Sequence, residues 1–101
     1  MTDWWERAKQ LESNDQLDEA ETLLRDSIPH LAFAIQTAAL YAERFRRLMV
    51  QHDLPGAAAA HKKAVDWAYN YASYATSGGE GAALSRERDA FIAELGPRPH
   101  G

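Results

Sequence analysis

Apolar residues recur at helical spacing along nearly the whole chain, and no stretch alternates apolar with polar residues. A half-buried strand requires that alternation and favours valine, isoleucine and threonine, which are sparse here. The chain is therefore expected to be all-α. Asp3 is placed to cap a first helix through about residue 13, with Trp4, Ala8 and Leu11 on one face. After a short Asn14-Asp15 turn, a second helix over about 17–28 carries Leu17, Ala20, Leu24 and Ser27, with Leu23 and Ile28 widening the stripe.

Pro29 can open a third helix, because a first-turn proline gives up no hydrogen bond. This helix runs to about His52, with Leu31, Ala34, Ile35, Ala38, Tyr41, Ala42, Phe45, Leu48 and Met49 on its inner face. Asp53 suits the cap of a fourth, with Leu54 as staple and Pro55 in the first turn. It reaches about Thr76, and its alanines at 57, 60, 64, 68, 72 and 75 allow close approach of a neighbour. A fifth helix, about 81–95, places Leu84, Arg88, Phe91 and Leu95 on one face. The expected organisation is a single helical domain over 1–96, with a flexible tail at 97–101.

The stretch SYATSGGEGAALSRERDAF, residues 73–91, raises the question of a phosphate cradle. Such a cradle needs a preceding strand and a lysine or serine in register, and Glu80 sits where an anion would bind. Gly78 or Gly79 instead fits the left-handed position that ends a helix, so the stretch reads as a corner.

A net charge of -4 argues against a nucleic-acid partner, although local basic patches remain open. No segment has the apolar length of a membrane span, and MTDWWERAK is not a secretory signal, so a cytoplasmic protein is expected. Cysteine is absent, which excludes disulfides and thiolate metal sites. The four histidines form no i, i+4 pair, and Ser73, Ser77 and Ser85 lack a nucleophile-elbow setting. His61, on the alanine stripe, reads as a partly buried, hydrogen-bonded side chain. No enzymatic activity, cofactor or metal is expected.

One regularity spans both halves. Trp4-x3-Ala8-x2-Leu11-x5-Leu17-x2-Ala20-x3-Leu24-x2-Ser27 reappears 37 positions later as Tyr41-x3-Phe45-x2-Leu48-x5-Leu54-x2-Ala57-x3-His61-x2-Ala64. Such a period marks stacked helical hairpins. NDQLDEAETLLRDSI, following Trp4, Ala8 and Leu11, resembles the tetratricopeptide repeat, with the first copy over residues 2–28 and a more divergent one over 39–65. In the second copy Phe45 stands at a small position and His61 at a large apolar one, and the family's closing proline is missing. The resemblance implies two antiparallel hairpins and a C-terminal capping helix in a five-helix bundle. It also implies a groove lined by the first helix of each hairpin, at Trp5, Lys9 and Glu12 and then at Ala42, Arg46 and Met49.

Protein binding without catalysis follows as the expected function. An outward Trp5 beside Lys9 and Arg46 would suit a peptide with an acidic or carboxylate group. Against this stands Trp5 as core packed on the C-terminal helix. The fourth helix carries Trp67, Tyr69, Tyr71 and Tyr74, which span too many faces for all to be buried, so Tyr69 or Tyr74 forms an alternative binding face. Glu43 and Arg47 are spaced as a surface pair, and Arg88 is expected to snorkel or pair with an acid. Two other readings share these features: a small acidic immunity or antitoxin-type protein masking a basic toxin surface, and a self-associating structural module such as a homodimer.

Overall fold

The computed structural model describes residues 3–73 and 79–99 and is all-α over those residues. Its helices are α1 (Trp4–Ser13), α2 (Leu17–Ser27), α3 (His30–Val50), α4 (Leu54–Ser73) and α5 (Gly79–Leu95). Consecutive helices make most of the contacts: α3 pairs most extensively with α4, α1 pairs with α2, and α5 lies on α4. Helix α3 also packs on α1 and α2, which makes it the centre of the bundle.

Two turns of the same design close the hairpins. Asp15 adopts a left-handed φ of 62°, which lets Gln16 N–H reach Leu11 O at 2.8 Å and Asp15 N–H reach Glu12 O at 2.9 Å. At the 37-residue offset, His52 takes φ 60°, with Asp53 N–H on Leu48 O at 2.9 Å and His52 N–H on Met49 O at 3.1 Å. Each pair of bonds satisfies carbonyls that the helix end would leave unpaired, and Leu17 or Leu54 then opens the next helix. The two turns thus share a backbone geometry at the spacing of the sequence regularity. A left-handed φ strains any residue with a Cβ, so His52→Gly should stabilise the protein by about 1 kcal/mol. Thermal unfolding would check this, and an unchanged or lower Tm would contradict it.

Local chemistry fixes the other ends. Asp53 Oδ1 accepts Gly56 N–H at 3.0 Å, as expected of a cap. Glycine suits position 56 because a Cβ there would lie 2.5 Å from Asp53 Oδ2. Asp3 occupies the cap position of α1 without a side-chain cap bond; its carbonyl accepts Arg7 N–H at 3.0 Å. Pro29 lies one residue ahead of α3 rather than within it, and its carbonyl accepts Phe33 N–H at 2.9 Å. Helix α5 starts at Gly79, earlier than the expected 81, so Gly79 belongs to a helix and is not its left-handed stop. Gly78, Tyr74, Ala75 and Thr76 lie outside the described residues.

The core has two parts. Ala8, Ala20, Leu24, Phe33 and Leu40 form one, and Tyr41, Phe45, Leu48, Ala57, Ala60, Ala64 and Leu95 belong to the other. Trp67 packs against both, and its ring meets Phe33 edge-on at 5.2 Å. A single-stripe reading of α3 missed Phe33, Thr37 and Leu40, all buried. A central helix buries one face against the first hairpin and another against α4, so one stripe cannot describe it. Met49, placed on the inner face from sequence, is exposed beside Val50 at the end of α3.

Candidate functional site

Helical spacing brings Glu6, Lys9, Gln10 and Ser13 to one side of α1, and Glu43 and Arg47 to the facing side of α3. Between them runs an open groove of about 320 Å³, with Glu12 also in its lining. Every residue lining it is of a polar or charged type. Lys9 Nζ lies 3.2 Å from Glu6 Oε1 and 5.8 Å from the centre of the Trp5 ring, so the ammonium is engaged from two sides.

Glu12 holds the two helices together. It is only 3% exposed, an unusual burial for a carboxylate. Arg44 Nη1 donates to Glu12 Oε2 at 2.9 Å and to Asp15 Oδ1 at 2.9 Å, and Arg47 Nη2 donates to the same Oε2. Arg44 and Arg47 are three residues apart, so one face of α3 delivers both guanidiniums to one carboxylate. Burial works against the charge of Arg44, but its hydrogen bonds to Glu12 and Asp15 prevail and hold its pKa above the ordinary value. Glu12 therefore forms the base of the groove as a tie between hairpins, with its charge already matched. Arg47 binds Glu12 and not Glu43, which correct the expected surface pair. Glu12 follows Ala8 by four residues on the face that α1 buries, and that spacing was the available signal for its burial.

The remaining residues carried over from the repeat pattern do not share this groove. Trp5 is half-buried, meets Trp4 edge-on at 6.3 Å, and packs with the first core cluster, not with α5. Ala42 is buried in the second cluster. Arg46 and Met49 are exposed but absent from the groove lining. Of the expected set, the groove brings together Lys9 and Glu12 alone, and it adds Glu6, Gln10, Ser13, Glu43 and Arg47.

The face of α4 is divided. Tyr69 is 53% exposed, with the Arg88 guanidinium 4.8 Å above its ring and Arg88 Nε donating to Asp89 Oδ1 at 2.9 Å. Arg88 thus both pairs and stacks. Tyr71 is buried, and its hydroxyl donates to Glu87 at 2.6 Å. Burial first, then that bond, raise its pKa to about 12. Tyr41 similarly links α3 to α2 by donating to Glu21 at 2.9 Å, and burial followed by this bond pushes its pKa up. These phenols are structural ties.

His61 is buried, donates Nε2–H to the Gly96 carbonyl at 2.8 Å, and meets Phe45 edge-on at 5.2 Å. It anchors the residue after α5, where Gly96 has φ 84°. His52 is exposed in the α3–α4 turn. Among the described residues, no three metal-ligating side chains converge, and no helix is long and apolar enough to cross a membrane. No family model, curated protein or solved structure matches the chain.

Proposed function

We propose that the chain is a non-catalytic interaction module that holds a partner protein or an extended peptide against the groove between α1 and α3. Its frame is a pair of tetratricopeptide-like hairpins with α5 as a cap. The observation carrying this reading is that the first helix of each hairpin supplies one wall of an open groove above a salt-bridged base. The tetratricopeptide-like residues of the first hairpin and the matching turn geometry of the second support the frame. A base tied by Glu12 fixes the spacing of the walls before a partner arrives, which reduces the ordering cost of binding. An extended segment can then use its own polar groups against Gln10 and the charged walls.

A photo-reactive side chain tests the location. Placed at Gln10, on the exposed wall, it should form a covalent adduct with the partner in native extract. The same group at Tyr69 should not. An adduct formed from position 69 but not from position 10 would move the binding surface to the outer face of α4.

A further inference from the structure

The groove of the proposed function also has a charge pattern, and the following inference rests on that reading. Its two cations are both engaged within the molecule. Arg47 is held by Glu12, and its Nε is buried away from solvent, where a ligand in the groove cannot reach it. Lys9 is held by Glu6 and lies over Trp5. Glu43 is exposed on the opposite wall and takes part in none of the ion pairs among the described residues. Glu6 keeps a largely exposed carboxylate, 70% accessible, even while paired.

We infer that the groove recognises a cationic side chain, a lysine or arginine presented by an extended segment of the partner, with Glu43 as its principal contact. The sign is opposite to the carboxylate ligand expected from Lys9 and Arg46 in the sequence. An anionic group entering here would compete with Glu6 for Lys9 while approaching Glu43 on the other wall. A cationic group meets Glu43 directly and finds Glu6 on the other wall, with no internal pair broken. The groove is open to water, so the contact selects sign and orientation more than it supplies affinity.

The probes are two capped tripeptides, acetyl-Gly-Arg-Gly-amide and acetyl-Gly-Glu-Gly-amide, titrated at millimolar concentration into the isotopically labelled full chain. The arginine peptide should shift the backbone amides of Gln10, Ser13, Glu43 and Arg47, and the glutamate peptide should leave them in place. Glu43→Gln should weaken the arginine peptide about threefold to fivefold, in line with the loss of one exposed ion pair. Arg46→Gln should leave it unchanged. Stronger shifts with the glutamate peptide would overturn the inferred sign while leaving the groove as a binding surface. No shift with either peptide, or shifts confined to α4, would overturn the cation site. The position-10 adduct is read separately, so failure of the sign and failure of the groove are distinguishable.

Discussion

Replacing Glu12 with alanine should destabilise the protein by about 3 kcal/mol, because it leaves two guanidiniums facing each other at a largely buried site. Arg44 and Arg47 retain 20% and 29% side-chain exposure, so water relieves part of the penalty and the lower end of the range applies. In a domain of this size the Tm should fall by roughly 15 °C. The companion variant changes Glu12, Arg44 and Arg47 together to leucine or methionine. It should recover most of the loss, because apolar packing can replace a buried ion cluster once no buried charge is left unpaired; Asp15, which loses Arg44, is exposed to water. Thermal and denaturant unfolding of both proteins checks the pair. Glu12→Ala at wild-type stability would show that the hairpins are not joined through this carboxylate.

That tie shows where the sequence was legible and where it was not. The five helices follow from spacing, and the Asp53 cap and the burial of His61 follow from their positions. The turn at His52 was less visible, since a histidine with positive φ carries no glycine to mark it. Phe33 and Leu40 were missed because periodicity read on one helix does not count its neighbours, and α3 has neighbours on several sides. The site was less legible than the fold. Lys9 and Glu12 do line the groove, but Ala42, Arg46 and Met49 do not, because the orientation of α3 is set by packing between the first hairpin and α4. Choosing Arg47 over its neighbours required knowing that Glu12 was buried and in need of a cation. Charge spacing within α3 alone favoured Glu43 as its partner, and tertiary burial overrode that local pairing.

The same geometry makes the groove variant with the largest functional effect easy to specify. Lys9→Glu combined with Glu43→Lys exchanges the charges at these two positions and leaves the net charge at -4. Neither residue belongs to either core cluster, and the Lys9–Glu6 pair it disrupts is worth less than about 1 kcal/mol. The helical circular dichroism signal and the Tm should therefore stay close to those of the parent. Binding should not. A cationic side chain fitted to Glu43 would meet a cation in its place and be drawn to the two carboxylates then standing on α1, out of register with the rest of its segment, and the like charge at position 43 also slows encounter. The decisive measurement is quantitative affinity capture from the native source, run in parallel on the parent, this double variant and Tyr69→Ser. The expected result is a partner retained by the parent and by Tyr69→Ser, but reduced at least about tenfold by the double variant, as close interfacial charge pairs allow. Retention at parental strength by the double variant, with loss on Tyr69→Ser, would contradict binding in the α1–α3 groove and assign it to the tyrosine face of α4.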